Sequence, residues 1–163
     1  MRHAKVSKKR QVQEDAVYNS ILVSKLINNI MRDGKKTVAA NVVYDTFDLL
    51  AKNPAGAGDD GAINLFEKAI QNVGPKTEIK ARRVGGASYQ IPIEVRGDRR
   101  TALALRWIIE ASRAKSNKDF HTFPEKLADE IIAASNNEGA AIKKRDNVHR
   151  MADANKAFSH FRI

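Results

Sequence analysis

Few residues of this sequence have the types and spacing that catalysis or metal binding requires. The chain contains no cysteine, and none of its four histidines (3, 121, 149 and 160) lies four residues from another, the spacing of a helical zinc site. Glu125 and Asp129 lie one turn apart on a predicted helix that needs polar residues on its solvent-facing side. No serine occupies a recognisable nucleophile turn. The sequence therefore predicts no enzyme, no metal site, no cofactor and no small-molecule substrate.

One glycine-rich segment matches the G-x-G-x-x-G pattern of a dinucleotide phosphate loop, Gly56-Ala57-Gly58-Asp59-Asp60-Gly61. The pattern normally follows a strand, whereas this segment follows a predicted helix. Two aspartates would also repel a pyrophosphate. We therefore interpret residues 54–61 as an acidic loop, and a nucleotide-binding enzyme remains the weaker alternative.

Positive charge is concentrated in three parts of the chain. The net charge is +10, to which residues 1–10 contribute +5, residues 76–100 contribute +4 and residues 140–163 contribute +4. The two intervening parts are close to neutral. Clustered charge on an otherwise balanced chain is typical of a protein that binds a polyphosphate backbone. No apolar run suits a membrane span or a secretion signal, so we expect a cytoplasmic protein that binds nucleic acid and no membrane.

Each basic cluster can also be interpreted as a solvated surface without a partner. Two lysines, Lys35 and Lys36, follow Asp33-Gly34 beside the predicted start of a helix, where free backbone N–H groups suit an anion. The arginines of the 76–96 segment lie near Tyr89, a combination that favours insertion into an RNA groove or stacking on a base.

Apolar residues recur at helical spacing in six segments. These are residues 20–31, residues 36–52, a segment that ends before Gly74, residues 99–115, a segment that begins with the capping box Thr122 to Glu125, and residues 140–157. Asp98 can cap the fourth helix, and Arg106 is spaced to pair with Glu110 on it.

Residues 76–96 change to a period of two on both sides of Gly85-Gly86, which predicts a β-hairpin with a narrow glycine turn. Pro92 lacks an N–H donor and places its strand at an edge. We therefore predict one mainly α domain over residues 1–163. It is a six-helix bundle with a protruding β-hairpin (76–96) between the third and fourth helices, and a basic N-terminal arm (1–17).

Three stretches resemble the family of small-subunit ribosomal protein seven, in its bacterial form. They are YNSILVSKLINNIMRDGKK (18–36), RRVGGASYQIPIEVR (82–96) and KKRDNVHRMADANKAFSHFRI (143–163). The resemblance runs nearly end to end and in order.

The resemblance implies a protein that binds the 3′ major domain of small-subunit ribosomal RNA and nucleates assembly of the subunit head. It also implies a position near the exit-site transfer RNA and the messenger exit, beside neighbouring head and platform proteins. By position, the RNA contacts would be Arg2, Lys5, Lys8, Lys9, Arg10, Lys35, Lys36, Lys76, Lys80, Arg82, Arg83, Arg96, Arg99, Arg100, Lys143, Lys144 and Arg150. Gly85 and Gly86 would keep the hairpin turn narrow.

The sequence departs from the family at two places and leaves two functions open. Glu14-Asp15-Ala16 stands where the family usually has a proline after the aspartate, and the 54–61 loop is an acidic elaboration that should face away from RNA. Some relatives repress translation of their own messenger, which this sequence neither indicates nor excludes. A helical DNA-binding regulator is the alternative from another class, although no helix carries a compact set of base-reading side chains.

Overall fold

The computed structural model describes residues 11–53, 59–84 and 86–161. In these ranges the chain forms six α-helices and one β-hairpin, in the predicted order. The helices are α1 (Ile21–Ile30), α2 (Lys36–Ala51), α3 (Asp59–Val73), α4 (Gly97–Ala114), α5 (Phe123–Ser135) and α6 (Ala140–Ala154), and the strands are β1 (Thr77–Val84) and β2 (Ala87–Glu94). A short 3₁₀ helix, Lys156–Phe161, follows α6. The predicted mainly α fold is confirmed.

The core of the bundle is aliphatic with two buried phenylalanines. Phe47 of α2 packs edge-on against Phe66 of α3, with ring centroids 5.5 Å apart. Leu127 and Ile131 of α5 are fully buried beside them, because α5 packs against α2, α3 and α4. The apolar stripes of these helices thus face one another, and burial of large side chains is the main stabilising contribution.

The ends of the helices are set by local sequence features. Asp33 and Gly34 both have positive φ, +53° and +72°, and they form the tight turn between α1 and α2. The predicted capping box of α5 is confirmed, because the Glu125 carboxylate accepts the backbone N–H groups of His121 and Thr122 at 2.9 and 3.1 Å.

A buried carboxylate fixes the start of α6. Glu130 of α5 is 1% exposed and accepts the backbone N–H of Ala141 at 2.9 Å, while its second oxygen lies 3.0 Å from Nζ of Lys115. A Cβ atom at Gly139, which has φ +94°, would lie 2.8 Å from this carboxylate. The glycine is therefore required both by the backbone conformation and by the approach of Glu130.

The hairpin is a two-stranded antiparallel sheet in which Thr77 lies opposite Glu94 and Val84 opposite Ala87. Both strands are edges, as Pro92 predicts. Residues opposite each other share a face of the sheet. At the turn, Gly86 has φ +91°, as a narrow hairpin turn requires, while Gly85 lies outside the described residues.

Three details of the predicted helices are wrong. The helix α4 begins at Gly97, so Asp98 lies in its first turn and accepts a hydrogen bond from Nζ of Lys25 at 2.9 Å instead of capping the helix. Glu110 pairs with Lys144 of α6 and not with Arg106. The helix α6 ends at Ala154 instead of 157, because the chain continues as the 3₁₀ helix.

Candidate nucleic-acid interface

The root of the N-terminal arm is held by a buried aspartate. The side chain of Asp15 accepts the backbone N–H groups of Val17 and Tyr18 at 3.1 and 3.2 Å, and the hydroxyl of Tyr44 at 2.9 Å. Partial burial and the neighbouring Asp15 carboxylate raise the pKa of Tyr44, so its hydroxyl remains a donor. The predicted contacts Arg2, Lys5, Lys8, Lys9 and Arg10 lie outside the described residues.

The arm root lies between the starts of two helices. Residues 11–16 line one groove together with Lys36 and Thr37 of α2. Gln11 and Val12 also line a second groove with Lys25 of α1 and Asp98 of α4. The arm root therefore lies beside the start of α2 on one side and beside the start of α4, which directly follows the hairpin, on the other.

The turn between α1 and α2 exposes two cations at a helix N-terminus. Lys35 and Lys36 are both exposed, and neither has a carboxylate oxygen within 4.0 Å among the described residues. The first turn of α2 has no acidic residue, and no side chain caps it. Free N–H groups, the helix dipole and two lysines all favour an anion at this position.

The distal part of the hairpin, from Lys80 to the turn, carries cations on both faces of the sheet. Lys80 lies opposite Ile91 and Arg82 opposite Tyr89 on one face, whereas Arg83 lies opposite Ser88 on the other. All three cations are exposed. Among the described residues, neither Lys80 nor Arg83 has a carboxylate oxygen within 4.0 Å. An element with cations on both faces can be contacted by phosphates from two sides.

The cations at the hairpin root make contacts within the fold. Arg96 pairs with Glu94 at 2.6 Å, and Arg99 pairs with Glu78 of β1 at 2.9 Å. The guanidinium of Arg100 donates to the carbonyl oxygens of Gly74 and Gln71, at 3.2 and 3.3 Å. Arg100 thus satisfies carbonyl groups at the C-terminus of α3, where a cation also interacts favourably with the helix dipole.

The basic residues of α6 also include some that make contacts within the fold and one, Lys143, that is exposed without an acidic partner among the described residues. Lys144 pairs with Glu110 and lies over the ring of Trp107, 5.9 Å from its centroid. Arg150 donates to the side chain of Asn147 at 3.0 Å. Lys143 is exposed, and among the described residues it has no carboxylate oxygen within 4.0 Å.

Sequence reasoning left two residues of this region without a role. Arg145 of α6 donates to the carbonyl oxygen of Asn72 at 2.6 Å, and Nε2 of His149 accepts the backbone N–H of Lys76 at 3.0 Å. Both pairs are 73 residues apart in sequence. No local pattern indicates such contacts, because they depend on how α6 packs beside α3 and β1.

Tyr89 makes a contact within the fold that the sequence did not predict. Its half-buried ring packs against Phe158 of the 3₁₀ helix, with centroids 5.3 Å apart. The contact favours a structural role for this tyrosine over base stacking, because Phe158 already covers part of the ring.

The described part of the chain offers little for other kinds of site. Within residues 11–53, 59–84 and 86–161, no group of three or more His, Cys, Asp and Glu side chains could hold a metal ion. No helix in these ranges is long and apolar enough to cross a membrane. The segment that matches a phosphate loop follows helix α2, and the loop predicted over residues 54–61 is too long, because helix α3 already begins at Asp59. Residues 54–58 lie outside the described residues.

Comparison with known proteins assigns the class. A family model described as ribosomal protein S7p/S5e matches residues 1–156. The small ribosomal subunit protein uS7 of Lactobacillus delbrueckii subsp. bulgaricus is 52% identical over 155 residues, which cover 95% of each chain. The uS7 proteins of Lacticaseibacillus casei and Thermotoga maritima are 53% and 51% identical and cover 94% and 96% of each chain.

These matches define a structural protein of the small ribosomal subunit, found in the cytoplasmic ribosome, and not an enzyme. More particularly, the chain belongs to the ribosomal protein S7p/S5e family. Its partners are accordingly ribosomal RNA and other ribosomal proteins. The family assignment also argues against both alternatives, the DNA-binding regulator and the nucleotide-binding enzyme.

Proposed function

We propose that this chain binds the 3′ major domain of small-subunit ribosomal RNA and nucleates assembly of the subunit head. It lies near the exit-site transfer RNA and the messenger exit. The observation that carries the proposal is a set of exposed cations without acidic partners among the described residues. They are Lys35 and Lys36 at the start of α2, Lys80 and Arg83 on the distal hairpin, and Lys143 on α6.

The positions of these cations suit a folded RNA better than a single straight duplex. They lie on three different elements: a helical turn, a projecting hairpin and the last helix. Phosphate contacts position a protein on a nucleic acid, whereas selectivity comes from matching the shape of the folded RNA. A protein that contacts several RNA segments at once can hold them together, which is the physical basis of nucleating assembly.

The remaining predicted contacts fall into two groups, exposed cations and cations with acceptors in the fold. Arg82 is exposed opposite Tyr89, and Lys76 is exposed at the start of β1. We propose that both contact RNA beside the distal cations. Arg96, Arg99, Arg100, Lys144 and Arg150 already have acceptors in the fold, so we expect smaller losses of RNA affinity when they are neutralised.

Contacts with neighbouring head and platform proteins are part of the same proposal. Several large apolar side chains are exposed near the arm and the first two helices, among them Val17 (61%), Ile21 (44%) and Val38 (59%). Val12 and Ile21 line one groove, and contiguous exposed apolar surface is typical of a protein–protein contact.

The test is binding of the full chain to a folded transcript of the 3′ major domain, measured from low to moderate salt. A scrambled RNA of equal length is the control. Tight binding to the native fold that persists at moderate salt, with weak binding to the control, is the expected result. Equal and steeply salt-dependent binding to both RNAs would overturn the proposal, because charge alone would then explain the affinity.

A further inference from the structure

A two-stranded β-hairpin cannot by itself fix its direction relative to the bundle. It consists of two strands joined by a two-residue turn, and isolated two-stranded hairpins are only marginally stable in water. Its orientation must therefore depend on contacts made by other elements. Two of these contacts come from the last part of the chain.

The first contact is made by His149 of α6 at the base of the hairpin. The backbone N–H of Lys76 donates to Nε2 of His149, while the carbonyl oxygen of Lys76 accepts the N–H of Val95 at 2.9 Å. One residue thus closes the hairpin with its carbonyl group and attaches it to α6 with its amide group. A change at His149 would act directly on the point from which the strands diverge.

The geometry requires the imidazole of His149 to be neutral. A nitrogen that accepts a hydrogen bond cannot carry a proton, so the proton of the neutral ring lies on Nδ1. Burial and the Arg145 guanidinium lower the pKa of His149, and Lys76 acts in the same direction. Asp146 and Asp153 of α6 oppose this shift, while Arg100 of α4 lines the same pocket, to which α3 contributes only uncharged residues.

The second contact is made by Phe158 of the 3₁₀ helix on β2. Its ring packs on Tyr89 at a tilt of 53°. Tyr89 lies opposite Arg82, so this contact is made in the distal part of the hairpin. His149 therefore contacts the hairpin at its base, and Phe158 contacts it farther out. Contacts at two separated positions restrict the orientation of the hairpin more than one contact does.

We propose that His149 and Phe158 are positioning residues that hold the hairpin in one orientation, so that its cations are already in position when RNA binds. The inference rests on the proposed RNA-binding function. An element that is ordered before binding loses less conformational entropy when it binds, which strengthens affinity without any added contact. The two residues therefore affect RNA binding through the hairpin instead of through contacts of their own.

The experiment compares three variants of the full chain with the wild type. His149→Leu removes the acceptor, His149→Gln keeps a neutral acceptor at every pH, and Phe158→Leu removes the ring contact. Protection of backbone amides against hydrogen exchange is measured by NMR, at pH 7.5 and at several lower values of pH. Amides of the bundle, such as that of Phe47, report whether the whole fold is affected.

In the absence of RNA, we expect His149→Leu to lower protection at Lys76 and along β1 and β2 by about tenfold or more, with bundle amides unchanged. In the wild type, the same amides should lose protection once the pH is below the lowered pKa of His149, because a protonated Nε2 cannot accept a hydrogen bond. The His149→Gln variant should retain most of the protection at all these values of pH. Phe158→Leu should lower protection mainly around Tyr89. Unchanged hairpin protection in His149→Leu and Phe158→Leu would overturn the inference.

Binding to the folded transcript then separates positioning from direct contact. We expect His149→Leu to weaken binding roughly tenfold with the same salt slope as the wild type, because every cation that neutralises a phosphate is still present. A smaller slope would mean that His149 contacts phosphate, and unchanged affinity despite reduced protection would mean that orientation is unimportant; either result would overturn the inference. Failure of the RNA-binding proposal would be seen separately, as a wild-type chain that does not distinguish the folded transcript from its control.

Discussion

The root of the β-hairpin, where the chain enters helix α4, and the distal part of the hairpin, from Lys80 to the turn, use their cations differently. At the root, Arg96 and Arg99 pair with carboxylates, and Arg100 donates to carbonyl oxygens of α3. In the distal part, Lys80 and Arg83 are exposed and lack such partners among the described residues. Positive charge therefore stabilises the protein at one end of the hairpin and is available to a partner at the other.

The difference between the root and the distal part explains why the number of basic residues is a poor guide to a binding surface. A guanidinium that already donates to backbone carbonyl groups must break those bonds before it can bind phosphate. An exposed lysine without an acceptor only exchanges water and counterions. We therefore expect substitutions at the root to change stability, and substitutions in the distal part to change RNA affinity.

The largest expected effect is a loss of stability when Arg145, a cation beside the hairpin root, is replaced. Arg145→Gln removes the donor to the Asn72 carbonyl and should lower the free energy of unfolding by about 1.5–3 kcal/mol, as for a charged hydrogen bond in a largely buried site. The matched control, Lys80→Gln with Arg83→Gln, should change it by no more than about 0.5 kcal/mol. Urea unfolding measures both. Equal losses of stability in the two variants would contradict the distinction between cations that stabilise the fold and cations that bind RNA.

The next effect is on RNA affinity at the turn between α1 and α2. Replacing both Lys35 and Lys36 with Gln should lower the slope of log affinity against log salt by about 0.7–0.9 for each phosphate that is no longer neutralised, with stability nearly unchanged. Binding to the folded transcript over a range of salt measures the slope. A slope equal to that of the wild type would show that these lysines do not contact phosphate.

A smaller effect distinguishes two adjacent lysines of α6. Lys143→Gln should lower the salt slope by about 0.7–0.9, whereas Lys144→Gln should lower it less, because Lys144 is already paired with Glu110. The two variants have the same change in net charge, so each is the control for the other. If both slopes fell equally, the pair with Glu110 would have no influence on RNA binding.

The smallest expected effect is the dependence of stability on pH. The folded protein lowers the pKa of His149 below 6.5, so its contribution is complete above pH 6.5 and is lost as the pH falls through the lowered value. Backbone N–H groups of Thr122 and His121 lower the pKa of Glu125 below 4.5, so that contribution is lost only in more acidic solution. Urea unfolding at several values of pH should show both losses, and His149→Gln should abolish the first. A first loss that persists in this variant would contradict the assignment.

The sequence predicted the elements of the fold well, because their signals are local. The spacing of Val23, Leu26 and Ile27 indicates a buried helical face, and all three are buried in α1. The period of two around Gly85-Gly86 predicted the hairpin, and Thr122 and Glu125 predicted the start of α5. Each feature depends on residues only a few positions apart.

The partners of charged residues could not be predicted in the same way. Aspartate often caps a helix, but Asp98 pairs with Lys25, which lies 73 residues earlier in the chain. Arg106 and Glu110 have suitable spacing, yet Glu110 pairs with Lys144 of another helix. The acceptor role of His149 likewise depends on tertiary packing. Which predicted site residues contact RNA therefore remains a prediction, although the structure shows which of them already have partners.

The most direct test compares the salt dependence of RNA binding for the two ends of the hairpin. One variant combines Lys80→Gln with Arg83→Gln, and the other combines Arg99→Gln with Arg100→Gln, so that each removes two positive charges. Both are measured on the folded 3′ major domain transcript under conditions in which each variant is folded. We predict that the distal variant lowers the slope by about 1.4–1.8, because two phosphates are no longer neutralised, and that the root variant lowers it much less. A root variant that lowers the slope as much as the distal variant would contradict the division between cations that hold the fold and cations that bind RNA.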